Sequence, residues 1–179
     1  MVSFFIQSLF LFLVVIFQIS FLNIVFSHIF LNALLAVAIA LTLTRGFFVA
    51  WPWVICLGII FDIFSANVVG VTPIVLIVFS YGISFLSRRF LLENKTSGIL
   101  IAMLFMAIAC LFYFPLVWVV RHIAFGVPLS TEHFSLYVAS TNILGVVISN
   151  ALLFVLLYAL TQRINQALDF YGDRVIVKR

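Results

Sequence analysis

The chain has 179 residues, of which 66% are hydrophobic and only 8% charged, and its formal net charge is +4 at pH 7. Its mean hydropathy is +1.39, which excludes a water-soluble globular domain because such a domain keeps a large polar shell. So little polar sequence also leaves no room for a separate soluble domain, and the absence of a Lys/Arg cluster argues against nucleic-acid binding.

Polar and charged residues divide the chain into six apolar spans of roughly 15 to 25 residues, the length that crosses a hydrocarbon core about 30 Å thick. Pro115 interrupts the fifth span and predicts a kink there. The predicted spans, with approximate bounds, are residues 2–22, 29–44, 47–64, 72–89, 97–120 and 135–160.

The distribution of basic residues predicts the orientation of these spans. With six spans and a cytoplasmic N-terminus, eight of the nine Lys and Arg residues fall on the cytoplasmic side, and only Arg121 falls outside, as the positive-inside rule requires. We therefore predict an all-α integral membrane protein with six transmembrane helices and both termini in the cytoplasm. Residues 1–162 form the membrane domain, and residues 163–179 form a short charged cytoplasmic tail.

Asp62 is a carboxylate inside an apolar span, where charged side chains are costly and rare. On a helix it shares one face with Gly58 and Ser65, because residues four and three apart are neighbours. Its place about one turn from the outer end lowers the cost of the charge, so an ion- or proton-carrying role is not required. Such a role would also lack a second buried acid.

A structural role for Asp62 follows from the turn after its helix. Thr72 and Pro73 predict an N-cap followed by proline at the first helical position. We expect Asp62 and Ser65 to accept hydrogen bonds from the turn at 66–71 or from that helix start, which carries unpaired N–H groups. Gly70 would permit the tight return.

Other polar residues predict packing seams or partner contacts. Gln7 and Gln18 lie eleven residues apart, on nearly the same helical face, and this stripe either packs inward or receives a partner helix. Small and amide side chains let membrane helices approach closely and hydrogen-bond. In the last span such residues are Asn142, Gly145, Ser149 and Asn150.

The chain carries no recognisable catalytic, cofactor or metal motif. Cys56 and Cys110 stand apart without a Cys/His ligand spacing, and three scattered histidines make a weak metal site. A single Asp without a buried partner is a poor candidate for acid–base catalysis. We therefore predict no catalytic residues, no cofactor and no metal, and a protein that is not an enzyme.

The segment Gly58-x-x-x-Asp62-x-x-Ser65, followed by Gly70-Val71, resembles the signature of the rod shape-determining protein MreD family. The resemblance implies a multi-pass protein of the bacterial cytoplasmic (inner) membrane. It also implies a fold similar to the substrate-binding S components of energy-coupling-factor transporters. Gly58, Asp62, Ser65 and Gly70 are the residues that carry the motif.

The resemblance further implies a non-enzymatic scaffold of the cell-elongation complex, which organises peptidoglycan synthesis and cell shape. Its partners would be the single-span periplasmic protein MreC, the actin-like MreB, an SEDS glycosyltransferase, a class B transpeptidase and membrane lipid, with no nucleic acid. The alternative is a small-molecule-binding subunit of a membrane transporter. Many such subunits carry Ala-x-x-x-Ala on the first helix, whereas here Ala36-x-x-x-Ala40 lies on the second.

Overall fold

The computed structural model of the chain describes residues 2–22, 31–65, 68–90, 95–126 and 143–176. These residues are all-helical and contain no β-strand. The first helix continues directly into a π-helical turn, Gln18–Leu22. The six α-helices of the described residues are α1 (Val2–Phe17), α2 (Ala33–Arg45), α3 (Phe47–Phe64), α4 (Val71–Phe90), α5 (Lys95–Phe125) and α6 (Ile143–Ile176).

The helix bounds follow the sequence pattern closely in the first half of the chain. The predicted span 47–64 coincides with α3 at both ends, and the span 2–22 coincides with α1 and its π-helical turn. The last helix continues to Ile176, so much of the segment predicted as a tail extends α6. The predicted start of the sixth span, residues 135–142, lies outside the described residues.

Within the described residues two helical segments are long and apolar enough to cross a membrane, Phe47–Phe64 in α3 and Gly145–Ala167 in α6. In α5 the segments Leu100–Tyr113 and Pro115–Ile123 meet at an angle of 48°, a bend at the predicted proline. Together these segments would form a third span. Such helices indicate a membrane protein.

The centre of the fold is α2, which is in contact with all five other helices. Every residue from Ala33 to Thr42 is buried. The surrounding helices pack against one another in the order α1, α3, α4, α5 and α6. Ala36 and Ala40 are fully enclosed, and their small side chains let the neighbouring helices approach α2.

The five surrounding helices turn large apolar side chains outward. In a water-soluble protein, exposed apolar area this extensive would mark an interface or cause aggregation, whereas it is the ordinary surface of a helix in lipid. Representative exposed residues are Phe5, Leu9 and Leu13 on α1, Phe48 and Ile63 on α3, Val78 and Phe85 on α4, Leu104 and Phe112 on α5, and Leu152 and Leu156 on α6.

We expect Ala36→Leu to destabilise the fold, because the larger side chain has no space at a position with 0% exposure. Overpacking a closed site typically costs about 1–3 kcal/mol. Val78→Leu is the control, since Val78 is half exposed on the outer face of α4 and should tolerate the change. The measurements are the monodisperse fraction in size-exclusion chromatography and the thermal unfolding midpoint in detergent. Equal behaviour of the two variants would contradict the central position of α2.

Candidate functional site

Asp62 lies in the last turn of α3 and its side chain is completely buried. Its Oδ2 atom accepts hydrogen bonds from the backbone N–H of Gly70, at 2.9 Å, and of Thr72, at 3.2 Å. These N–H groups belong to the start of α4, where a helix has no internal acceptors. The carboxylate therefore sits at the positive end of the α4 dipole, as the sequence predicted. Its second oxygen, Oδ1, is buried without a hydrogen-bond partner.

Gly58 and Gly70 give the chain the room that this corner needs. A Cβ atom at Gly58 would lie 2.6 Å from both Cα and N of Pro73, so only glycine lets the start of α4 approach α3 this closely. Gly70 has φ = 106°, a conformation that L side chains rarely adopt. Gly58, Asp62 and Gly70 thus act together to join α3 to α4.

The start of α4 differs from the sequence prediction in its bounds. The helix begins at Val71, so Thr72 and Pro73 occupy the second and third helical positions rather than the N-cap and the first. Proline is tolerated there because the N–H groups of the first turn have no partner within the helix. The Ser65 hydroxyl donates to the Phe61 carbonyl oxygen at 2.7 Å, a bond within its own helix.

Tyr113 on α5 connects this corner to the start of α2. Its side chain forms hydrogen bonds with the side chains of Thr72 and Asn32. Asn32 is the N-cap of α2, because its Oδ1 atom accepts from the backbone N–H of Leu35 at 2.9 Å. An amide at this position satisfies one of the otherwise unpaired N–H groups of the helix start.

Two further amide side chains complete the start of α2. The Oε1 atom of Gln18 accepts from the Ala33 N–H at 2.7 Å, and its Nε2 donates to the Leu31 carbonyl oxygen at 2.9 Å. Asn150 on α6 accepts from the Asn32 N–H at 2.9 Å and donates to the Val146 carbonyl oxygen at 2.9 Å. Both amides face inward, so Gln18 packs within the protein and does not face a partner helix.

These contacts form one network, which we call the outer polar network after the predicted orientation of the helices. Each of the six helices, or the turn adjoining it, contributes a side chain to it. Its groups bond mainly to helix starts and to one another, so the arrangement is suited to holding helices in register. Within the described residues no three His, Cys, Asp or Glu side chains come together as a metal site would require. The outer polar network consists of Gln18, Asn32, Asp62, Thr72, Tyr113 and Asn150.

A second polar group, the inner polar cluster, lies at the other end of α2. The Nε atom of Arg45 donates to the Oδ1 of Asn165 at 2.9 Å, and its Nη1 donates to the Oε1 of Gln7. Asn165 in turn donates to the Thr44 hydroxyl at 2.9 Å. Gln7 is therefore also turned inward, and this cluster joins α1 to α6 across the end of α2.

The remaining predicted contact residues lie apart from these two groups. The Ser149 hydroxyl donates to the Gly145 carbonyl oxygen at 2.6 Å within α6, and both residues are half-buried. Asn142 lies outside the described residues. The structure therefore brings together Gln18 and Asn150 from the predicted packing residues, and Gln7 joins the opposite cluster.

Sequence reasoning missed the roles of Asn32, Tyr113, Arg45 and Asn165. Asn32 carried a usable signal, since asparagine directly before a helical apolar run is a typical N-cap. Arg45 was interpreted only as a topology charge. Asn165 contacts Arg45, which is 120 residues away in the sequence, and Tyr113 contacts Thr72, which is 41 residues away. No local sequence pattern identifies such contacts.

We expect Asp62→Asn to be mild and Asp62→Leu to lower folded yield. An asparagine oxygen in the place of Oδ2 keeps both N–H bonds, whereas leucine leaves the Gly70 and Thr72 N–H groups buried without an acceptor, at about 1–3 kcal/mol each. Folded yield in detergent and the thermal unfolding midpoint measure the difference. Normal yield in both variants, with equal and complete loss of function, would contradict a structural role.

Gly58→Ala should destabilise the protein strongly, because its Cβ would overlap the backbone of Pro73 rather than a movable side chain. We expect a loss of about 2 kcal/mol or more. Gly82→Ala is the matched control, since its Cβ would meet only the Phe105 ring, at 3.3 Å, and alanine favours the helix by up to about 1 kcal/mol. Thermal unfolding of the two variants side by side is the measurement. A Gly58→Ala protein as stable as Gly82→Ala would refute the close approach of α4.

The geometry of the site identifies a helix-joining role for the Gly58–Gly70 motif. Comparison of the chain with protein-family models, with curated proteins and with solved structures finds no match. The family resemblance therefore stays a prediction from the motif, whose glycines and carboxylate have the structural roles described above.

Proposed function

We propose that this protein is a non-enzymatic membrane scaffold of the bacterial cell-elongation complex, the role that its resemblance to the MreD family implies. One observation carries the proposal. The only charged residue of the motif, Asp62, accepts backbone N–H bonds from the next helix, and Gly58 admits the backbone of that helix. The motif thus builds a rigid corner, which suits a scaffold better than an enzyme or a carrier.

The proposed topology has six membrane spans, both termini in the cytoplasm, and a fold similar to the S components of energy-coupling-factor transporters. Contacts at the two ends of α2 support it. The end of α1, the start of α2 and the start of α6 meet at Gln18, Asn32 and Asn150. The start of α1, the end of α2 and the inner part of α6 meet at Gln7, Arg45 and Asn165. Helix α1 therefore runs antiparallel to α2 and helix α6 runs parallel to it, as alternate crossings require.

Partner binding would occur mainly at lipid-facing surfaces. Most buried polar side chains of the described residues belong to the outer polar network or the inner polar cluster, and α1, α3, α4, α5 and α6 expose large apolar side chains on their outward faces. A single-span partner such as MreC could pack its membrane helix against one of these faces. The protein would lie in the bacterial cytoplasmic membrane, close to MreB, the SEDS glycosyltransferase and the class B transpeptidase.

Affinity purification from native membranes in mild detergent, followed by mass spectrometry, tests the proposal. We expect a single-span periplasmic protein with a coiled-coil segment to co-purify. Asp62→Asn should retain it, because that variant keeps the corner, and Asp62→Leu should lose it together with folded yield. An unrelated tagged membrane protein of similar size is the control. Co-purification with an ATPase module alone would instead establish a transporter subunit.

A further inference from the structure

We propose that the inner polar cluster, Gln7, Thr44, Arg45 and Asn165, binds the phosphate group of an anionic phospholipid in the inner leaflet. The proposal requires that the helices lie in a membrane, and it does not depend on the scaffold role. It is based on the Arg45 guanidinium, which lies between α1 and α6, and on the fact that its partners there are neutral amides.

The Arg45 guanidinium has only neutral partners. Its Nε and Nη1 atoms donate to the amide oxygens of Asn165 and Gln7, and in the part of the chain that the structure describes no acidic side chain pairs with it. The only acid there whose side-chain contacts are described, Asp62, is committed to the start of α4 at the opposite end of α2. The end of the α2 dipole offsets part of the charge, but among the side chains that the structure describes no carboxylate pairs with the cation.

The cluster also has more hydrogen-bond donors than acceptors. A guanidinium carries five N–H groups, and the two bonds above use two of them. Gln7 is only 2% exposed, and its Nε2 atom has no hydrogen-bond partner. Asn165 does not supply an acceptor to it: the Asn165 oxygen accepts from Arg45 and the Asn165 nitrogen donates to Thr44. The missing component is therefore an acceptor with negative charge.

The position of the cluster selects a lipid headgroup as the source of that acceptor. Arg45 is half-buried at the end of α2, and the two helices that supply its partners, α1 and α6, also carry the exposed Leu9 and Leu160. A phosphate that contacts Arg45 could thus extend its acyl chains along apolar helix faces. Phosphate oxygens match the planar fork of a guanidinium, and rotation of the Gln7 carboxamide would bring its free N–H to the same oxygens.

Gln7→Glu is the decisive variant, because it changes one amide into a carboxylate of the same shape. The new carboxylate would pair with Arg45 and supply the missing anion within the protein. Arg163→Gln is the matched control, since Arg163 is an exposed basic residue on the same part of α6 and lies outside the cluster. Arg45→Gln removes the proposed ligand-binding charge, and Gln7→Glu keeps the test valid where Arg45→Gln fails to fold.

The experiment measures the thermal unfolding midpoint of purified protein in neutral detergent with added phosphatidylglycerol, phosphatidylcholine or inorganic phosphate. We expect phosphatidylglycerol to raise the midpoint of the wild type and of Arg163→Gln by about 3 °C or more over phosphatidylcholine. Gln7→Glu should start from a higher midpoint and lose most of that response. Arg45→Gln should show no response to either lipid.

Four outcomes would overturn the proposal. Equal effects of the two lipids on the wild type would show that headgroup charge is not recognised. A full response of Gln7→Glu would remove the inner polar cluster as the site, and a lost response of Arg163→Gln would indicate general surface charge. A shift produced by inorganic phosphate alone would identify a soluble phosphate compound, rather than a lipid, as the ligand.

Discussion

The enclosed start of α2 is the constraint on which the rest of the bundle depends. A helix start presents N–H groups without internal acceptors, and apolar surroundings make each unsatisfied group cost several kcal/mol. Since α2 is surrounded by the five other helices, the acceptors must come from them. Gln18 and Asn150 supply two, and Asn32 supplies a third from its own side chain. Satisfying α2 therefore fixes the depth and rotation of α1 and α6 against it.

The same problem arises at the start of α4, and the chain solves it with a carboxylate. Asp62 lies only 8 and 10 residues from the two N–H groups it accepts, so the corner between α3 and α4 is local. The contact between Asn32 and Asn150 joins residues 118 positions apart. Tyr113 links the two helix starts through Thr72 and Asn32. One network thus combines a local corner, which can form early, with long-range contacts that require the assembled bundle.

This difference in sequence separation explains what the sequence could predict. The corner was predictable because Gly58, Asp62 and Gly70 belong to a single helix face and the turn that follows it. The spacing of Gln7 and Gln18 predicted a shared face, but periodicity does not say whether that face meets protein or lipid. The partners of Arg45 depend on how α1 and α6 pack, and no property of residues 33–45 identifies them.

Asp62 and Arg45 occupy complementary positions in the bundle. Asp62 lies at the N-terminal end of α4 and Arg45 at the C-terminal end of α2, where the helix dipoles favour each charge. They cannot pair, because the 13 residues of α2 separate the two ends by about 20 Å at 1.5 Å per residue. The acid is closed to solvent and held by backbone N–H groups, whereas the cation is half-buried and held by neutral amides. The outer polar network is therefore held by groups of the protein itself, and the inner polar cluster is where we propose that a lipid phosphate binds.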